Sequence, residues 1–235
     1  MGGTVSPAEV ARFDALAGRW WDPNGPMRAL HRMNPARIEW IVAQAGRAFP
    51  DADGLRVLDV GCGAGLAAEG LARRGFDVLG IDAAPDAIAA AVAHAAGTGL
   101  SLAYRLAAPE DLAAERARFP VITALEVIEH VPDPALFLTA LAGLLNPGGL
   151  LVLSTLNRTA LSLVAAKLAA EYVLRWLPVG THDWRRFLTP AELAAALRRA
   201  GLRVSDLTGL GLDPLGGRWR TGGATSVNYM MAARA

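Results

Sequence analysis

The chain has 235 residues, of which 53% are hydrophobic and 19% are charged, a composition typical of a folded domain and not of a disordered chain. Its 23 basic and 22 acidic side chains leave a formal net charge of +1, so no overall field attracts nucleic acid and we expect no nucleic-acid partner. The length favours a single domain, and Cys62, the one cysteine, cannot form an internal disulfide, which fits a reducing compartment.

The N-terminal part of the chain is predicted to be helical and to precede the sheet. Residues 1–10 lack the charged and apolar regions of a secretory signal, so we expect the protein to stay in the cytoplasm. Residues 7–48 carry helical patterns interrupted by WWDPNGP, residues 20–26, whose proline, glycine and asparagine content indicates a loop. We interpret residues 1–50 as a helical lid.

The remainder alternates short apolar runs with alanine-rich helical stretches, which is the pattern of βαβ units and a parallel sheet. We predict an α/β fold of the doubly wound, Rossmann-like kind. Its seven-stranded sheet should be mostly parallel and end in an antiparallel strand. The predicted strands cover residues 55–60, 76–82, 101–107, 120–127, 149–155, 202–210 and 226–233.

The strongest chemical signal is VLDVGCGAG, residues 57–65, a buried strand that runs into three glycines and then a helix. Gly61, Gly63 and Gly65 alternate along the loop, where glycine lets the backbone approach a ligand and the helix N-terminus offers unpaired N–H groups. A dinucleotide-binding loop would read Gly-x-Gly-x-x-Gly, and here an acid, Asp59, lies inside the preceding strand. The spacing disfavours NAD, although a nicotinamide enzyme stays an alternative.

Asp82 ends the second predicted strand, where an acidic side chain can accept hydrogen bonds from both ribose hydroxyls of a nucleoside. The same position also suits a helix N-cap or a loop acid, which is the competing interpretation. Together, the glycine loop and Asp82 predict a cofactor that contains a nucleoside.

A second cluster lies in ALEVIEHVPDP, residues 124–134, where Glu126, Glu129 and His130 crowd the end of the fourth predicted strand. Such strand ends meet at the carboxyl edge of the sheet, where open α/β folds bind their ligands. Three interpretations stay open. The histidine or a glutamate acts as a general base, the set binds a divalent cation that lowers the pKa of bound hydroxyls, or the pair caps the following helix.

The stretch at residues 160–177, ALSLVAAKLAAEYVLRWL, is apolar apart from Lys167, Glu171 and Arg175, whose i, i+4 spacing places them on one helix face. With three charges it is a poor membrane-spanning helix. It suits a helix lying in a membrane interface, with attachment strengthened by anionic lipid, and equally a core or dimer-contact helix.

Several stretches carry a family resemblance. VLDVGCGAG, GIDAAPDAI, ALEVIEHVPDP and LLNPGGLLVLST resemble the class I S-adenosylmethionine-dependent methyltransferases. More narrowly, FDALAGRWWDPNGPMRALHRMNPARIEWI, STLNRT, AEYVLRWLPVGTHDWRRFLTPAEL and VNYM are similar to the ubiquinone-biosynthesis O-methyltransferases. The resemblance covers most of the chain, and its departures are mild, chiefly Leu125 where methionine is common. It implies the class I fold and O-methylation of polyprenylated hydroxyphenols and catechols at two points of ubiquinone biosynthesis, including the step that yields ubiquinol.

The resemblance also implies S-adenosylmethionine as the cofactor and gives roles to four residues. It assigns Arg37 to the methionine carboxylate, Gly61 to close backbone approach, Asp82 to the ribose and Leu125 to the cofactor's neighbourhood. Without the resemblance, Arg37 would be interpreted as a solvated helix charge. Within a single domain, residues 1–235, we divide the chain after the lid into a cofactor-binding half at 51–155, a substrate- and membrane-facing helical insertion at 156–200 and C-terminal strands at 201–235.

For the acidic cluster, the resemblance favours Mg²⁺ bound by Glu126, Glu129 and His130. His182 in THDW is a second candidate base, with a satisfied loop histidine as the alternative. The implied partners are the polyprenylated quinol precursor, the inner face of an anionic membrane and a complex of ubiquinone-biosynthesis enzymes. A methyltransferase acting on oxygen or carbon of another small aromatic, and a non-catalytic scaffold subunit, stay as alternatives.

Overall fold

The structure is a computed structural model that describes residues 3–164, 184–213 and 216–235. Short 3₁₀ helices lie at Ala17–Arg19 and Trp184–Arg186. The helices are α1 (Pro7–Asp14), α2 (Arg28–Ala48), α3 (Leu66–Ala72), α4 (Pro85–Ala95), α5 (Pro109–Ala114), α6 (Pro134–Leu144), α7 (Ala160–Ser162) and α8 (Pro190–Arg199). The strands are β1 (Arg56–Val60), β2 (Asp77–Asp82), β3 (Leu102–Leu106), β4 (Phe119–Leu125), β5 (Leu145–Leu156), β6 (Arg203–Leu212), β7 (Trp219–Gly223) and β8 (Asn228–Arg234).

Within these ranges the strands form one sheet of eight, in the order β3-β2-β1-β4-β5-β8-β6-β7. The strands from β3 to β5 pair in parallel. The last strand, β8, is antiparallel to both of its neighbours, β5 and β6, so β6 runs in the same direction as β5. The predicted Rossmann-like fold class and the antiparallel last strand are confirmed.

The predicted strand number of seven was wrong, because β7 was not among the predicted strands. Its sequence, WRTGG, ends in two glycines and has no alternating apolar positions. It lies at the edge of the sheet, antiparallel to β6, with its residues exposed or half-buried. Intrinsic propensity gives little signal for such a strand, and the pairing with β6 produces it.

Helices cover both faces of the sheet because side chains along each central strand alternate between the two faces. On β1, Val57 packs in one apolar cluster with Ile41 of α2 and Leu71 of α3, whereas the adjacent Leu58 packs in another with Leu138 of α6. All five side chains are fully buried, and each contributes about 1.5 to 3 kcal/mol of burial free energy. This packing fixes the carboxyl ends of β1, β2 and β4 at one edge.

The N-terminal helices lie over that edge and are held there by polar contacts. Trp21 Nε1 donates to the carbonyl of Ala64, in the loop after β1, over 2.9 Å. At the end of α1, Asp14 Oδ1 accepts from the backbone N–H of Asp86, in the first turn of α4, over 2.9 Å. The N-terminal helices therefore contact the loop that follows β1 and the first turn of α4.

The predicted interfacial helix at 160–177 and the candidate base His182 lie largely outside the described residues, which include only 160–164 of that segment. Leu161 and Val164, at its start, are 54% and 53% exposed. None of the helices in the described ranges has the length and apolar content that crossing a bilayer requires.

Candidate active site

A cavity of about 520 Å³ opens at the carboxyl ends of β1, β2 and β4, beneath the lid. Its position agrees with the general rule for ligand sites in open α/β sheets. Gly65 and Glu129 are not among its lining residues, although each directly precedes one, Leu66 and His130 respectively. The predicted site residues that do line it are Arg37, Asp59, Gly61, Gly63, Asp82, Leu125, Glu126 and His130.

The glycine loop after β1 has a backbone that other residues would strain. Gly61, Gly63 and Gly65 have φ values of +68°, +53° and +89°, in the left-handed region that favours glycine. A side chain at Gly61 would overlap Val127, and one at Gly63 would overlap the ring of Trp20. The loop thus exposes its backbone to the cavity while neighbouring side chains pack against it.

Asp82 connects this loop to the turn after β2. Its Oδ2 accepts from the N–H of Gly63 over 2.8 Å and its Oδ1 from the N–H of Ala84 over 2.9 Å. Burial raises the pKa of Asp82, and the backbone hydrogen bonds oppose that rise. The N-cap of α4 is Ala84, and Asp14 of the lid accepts from the first-turn N–H groups. Asp82 is therefore not the cap of α4, and its carboxylate, which has about four lone-pair sites, accepts from the loop N–H groups at the rim of the cavity.

Asp59 is a buried acid at the base of the cavity. It is 2% exposed, and its Oδ1 accepts from the Thr123 hydroxyl over 2.6 Å. Burial raises the pKa of Asp59 to about 7, with the Thr123 hydrogen bond opposing and the charge of Asp82 adding to the rise. Its Oδ2 meets no hydrogen-bond partner in the described part of the chain.

Arg37 is a buried residue and not a solvated helix charge. Its Nη2 donates to Glu126 Oε1 over 2.8 Å, and the two side chains are only 4% and 13% exposed. The same oxygen accepts from Ser154 Oγ over 2.7 Å and from Asn228 Nδ2 over 3.4 Å. Arg37 Nε is buried without a hydrogen-bond partner in the ranges that the structure describes. The guanidinium thus keeps one donor for a ligand beside the ion pair.

Glu129 turns away from the cavity, toward β5. It is 3% exposed, and its Oε2 accepts from Thr155 Oγ1 over 2.9 Å. Burial and the neighbouring charge of Glu126 raise the pKa of Glu129 to about 7. Its Oε1 has no partner among the described residues, so Glu129 is able to hold a proton near neutral pH.

His130 pairs with the lid. Its Nδ1 lies 3.0 Å from Glu9 Oε2 of α1, and Phe13 meets the imidazole edge-on with 5.3 Å between ring centroids. Burial opposes the charged imidazole, but the hydrogen bond that Nδ1 donates to Glu9 and the charges of Glu129 and Glu9 outweigh it and raise the pKa of His130. The same hydrogen bond lowers the pKa of Glu9.

The predicted metal set does not assemble. Among the residues that the structure describes, no group of three His, Cys, Asp or Glu side chains is placed to hold a metal ion. Glu126, in a left-handed conformation at φ +56°, points to Arg37, Glu129 points to β5, and His130 points to the lid. The prediction that the Glu and His pair caps α6 was also wrong, because Asp133 accepts from the first-turn N–H groups of that helix.

The sequence analysis missed the partners of the acidic cluster. Ser154 and Thr155 lie in STLNRT and Asn228 lies in VNYM, two stretches that carry the family resemblance. Their position in those motifs was an available signal. Glu9 had none, because a lone acid in the first turn of a helix is most simply explained as a favourable charge at the helix N-terminus.

Known proteins resemble this chain in sequence and in fold. A family model described as a methyltransferase domain matches residues 30–207. A ubiquinone biosynthesis O-methyltransferase of Azorhizobium caulinodans is 47% identical over 98% of this chain and 94% of that protein, and one of Caulobacter vibrioides is 48% identical over 97% and 94%. The magnesium protoporphyrin IX methyltransferase of Synechocystis PCC 6803, solved with bound SAM, superposes with a TM-score of 0.64 at 18% identity over 99% of both chains.

Proposed function

The chain belongs to the family of ubiquinone biosynthesis O-methyltransferases, and from this premise we propose that it transfers the methyl group of S-adenosylmethionine to hydroxyls of polyprenylated phenols and catechols. The proposal includes both O-methylations of ubiquinone biosynthesis, with the conversion of demethylubiquinol to ubiquinol as the later one. The observation that carries it is the buried Arg37, whose Nε lacks a partner in the described chain, at a cavity shared with the glycine loop and Asp82.

The residues present fit S-adenosylmethionine. Arg37 Nε, a buried donor without a partner in the described ranges, suits the methionine carboxylate, because a hydrogen bond between a guanidinium and a carboxylate is strengthened by the charges of both groups. Asp82 would hold the ribose hydroxyls, and the backbone at Gly61 and Gly63 would approach the cofactor closely. When bound, the cofactor supplies a methyl group on a positively charged sulfur.

The chain's own residues must deal with the proton of the acceptor hydroxyl. A phenol with a pKa of roughly 10 is mostly protonated at neutral pH, and the phenolate is the better nucleophile. We assign His130, which lines the cavity, as the general base. Glu9 Oε2, 3.0 Å from Nδ1, orients the ring. Glu129, whose pKa is raised to about 7 by burial, points to Thr155 of β5 and takes no part in this proton transfer.

The predicted Mg²⁺ role gains no support from the arrangement of Glu126, Glu129 and His130, since each is engaged by a different partner. We therefore derive no step through a metal. His182 stays a second candidate base, outside the described residues.

We also propose that the protein works at the inner face of the membrane, where a polyprenylated substrate resides. The two exposed apolar side chains at the start of the 160–177 segment, Leu161 and Val164, support attachment of that segment to lipid. The proposed division of the chain has four parts: the lid at 1–50, the cofactor-binding half at 51–155, the substrate- and membrane-facing insertion at 156–200 and the C-terminal strands at 201–235. We further propose that the protein associates with other ubiquinone-biosynthesis enzymes.

The decisive test is methyl transfer by the purified protein. Labelled S-adenosylmethionine and a short-chain demethylubiquinol analogue, kept reduced, should give the methylated quinol by mass spectrometry, with and without a metal chelator. Absence of transfer would contradict the proposed function. If methyl transfer is lost only when the chelator is present, the reaction requires a bound metal ion and the assignment of His130 as general base is wrong. Transfer to unrelated small aromatics at comparable kcat/KM would favour the alternative substrate class.

A further inference from the structure

The β6–β7 hairpin reaches the same edge of the sheet as the cofactor loops. Because β6 runs in the same direction as β5, its last residue, Leu212, lies at the carboxyl edge of the parallel strands. The antiparallel β7 starts at that edge with Trp219, which is paired with Leu212. Both residues line the cavity, although β1, β4, β5 and β8 separate them from Asp82 at the end of β2.

The two ends of this cavity differ in chemistry. Asp59, Asp82, Arg37 and Glu126 place their charges toward the end formed by β1, β2 and β4, which also carries apolar side chains such as those of Val60 and Ile81. The far end is lined by apolar side chains from α2, β5, the β6–β7 hairpin and the segment before β8, namely Leu30, Met33, Leu156, Leu212, Trp219 and Val227. A ligand with a polar head and an apolar extension would match this division.

The apolar lining continues to the protein surface. Met33 is 6% exposed and packs in a small cluster that includes Leu30 and Trp219, whereas Leu212 is 46% exposed. A large apolar side chain that lines a cavity and also faces solvent marks an opening lined with hydrocarbon. An extended isoprenoid chain leaving the cavity here would cover that surface and gain the free energy of its burial.

We propose that Leu212 and Trp219 of the β6–β7 hairpin, together with Leu30 and Met33 of α2, form the exit for the isoprenoid chain of the acceptor. The hairpin thereby determines the preference for prenylated over short acceptors. This inference rests on the proposed function, since it names the part of the same cavity that recognises the acceptor's tail.

The test uses two leucines of one strand. Leu207 and Leu212 both belong to β6 and are 42% and 46% exposed, but only Leu212 lines the cavity. The kcat/KM values for a demethylubiquinol analogue with two isoprene units and for one with a methyl group in its place are measured in the wild type, Leu212→Ala and Leu207→Ala. The ratio of prenylated to short acceptor should fall about fivefold in Leu212→Ala and by less than about twofold in the matched control.

A second variant sharpens the result. Leu212→Asp places a carboxylate at the exit, and a chain packed there must strip water from it, so the ratio should fall about tenfold or more. Thermal melting establishes that all variants are folded. If the wild type methylates both acceptors and the Leu212 variants keep the wild-type ratio, the exit lies elsewhere and the inference is wrong. If the wild type methylates neither acceptor, the proposed function itself has failed.

Discussion

The two sides of the charged end of the cavity are built in different ways. The glycine loop and Asp82 come from the adjacent strands β1 and β2, and the hydrogen bond that joins Gly63 to Asp82 spans 19 positions. The loop after β4 depends on distant partners: Arg37 is 89 positions from Glu126, and Glu9, the partner of His130, belongs to the lid. The first side, formed by the glycine loop and Asp82, results from the topology of adjacent strands. The second side, formed by Glu126 and His130 in the loop after β4, is complete only when the lid is packed.

Loss of Arg37 should break the second side most severely. Arg37→Met leaves the Glu126 carboxylate largely buried without its cation, and removing one partner of a buried ion pair costs about 3 kcal/mol or more of unfolding free energy. Methyl transfer should fall below detection. Urea unfolding followed by circular dichroism measures the first effect, and the labelled-cofactor assay measures the second.

Arg47→Met is the matched control on the same helix. Arg47 pairs with Asp206 over 3.3 Å but is 64% exposed, and exposed pairs contribute at most about 1 kcal/mol. Equal losses of unfolding free energy in the two variants would mean that the Arg37 ion pair stabilises the protein no more than an exposed pair does. A larger loss of unfolding free energy in Arg37→Met than in Arg47→Met would confirm that α2 stabilises the loop after β4.

The contrast also explains what the sequence could reveal. The glycine spacing and the acid at the end of β2 follow from backbone requirements that any residue other than glycine or a short acid would violate, so Gly61, Gly63 and Asp82 were predictable as a unit. Glu126, Glu129 and His130 were predictable as a cluster of chemical groups. Their orientations were not, because each is set by a partner from another element.

The same reasoning applies to the fold. The central parallel strands are mostly buried and mostly apolar, as in RVLDV of β1 and FPVITAL of β4, and these residues predicted all of the strands to within a few positions. The edge strand β7 buries little and contains two glycines. Its existence depends on tertiary pairing with β6, which no local pattern encodes.

Asp82 tests the topological side. Asp82→Ala removes the acceptor for the ribose hydroxyls and should weaken S-adenosylmethionine binding by about 1.5 to 3 kcal/mol, the range for hydrogen bonds to a charged group. Calorimetric titration of the cofactor measures this. Asp77→Ala, at the opposite end of the same strand, removes only the exposed hydrogen bond from Ser101 and should leave affinity unchanged. A folded Asp82 variant with wild-type affinity would remove this residue from the cofactor site.

Asp14 should show that the lid also stabilises the first side, though weakly. Its side chain accepts from the N–H of Asp86 and thus caps α4 from another helix, and loss of a helix cap costs about 1 kcal/mol. Asp14→Ala should lower the unfolding free energy by that amount in urea titrations. Asp14→Asn, which keeps a capping oxygen, should retain most of it. Equal losses in both variants would point to charge and not to capping.

The smallest effect, and the most specific for the lid, is the pH dependence of the Glu9 and His130 pair. Folding lowers the pKa of Glu9 from its ordinary 4.5, so its contribution to stability is present above that value and is lost as the pH falls through the lowered pKa. Folding raises the pKa of His130 from its ordinary 6.5, so its contribution is complete below that value and is lost as the pH rises through the raised pKa. The contribution of the Glu9 and His130 pair to stability is therefore complete between the ordinary pKa values of the two groups, 4.5 and 6.5.

Glu9→Gln should consequently destabilise the protein at about pH 5.5 and much less at about pH 8.5. Because the Glu9 side chain is 21% exposed and solvent screens the pair, the difference should stay below about 1 kcal/mol. Arg12→Gln is the control, since Arg12 also contacts Glu9, over 3.5 Å, while its charge opposes protonation of His130. Its destabilisation should not decline between those two pH values, as arginine stays charged throughout. If the destabilisation by Glu9→Gln, like that by the control, did not decline between about pH 5.5 and about pH 8.5, the lid would not be coupled to His130, and the base would have to be oriented by the β4 loop alone.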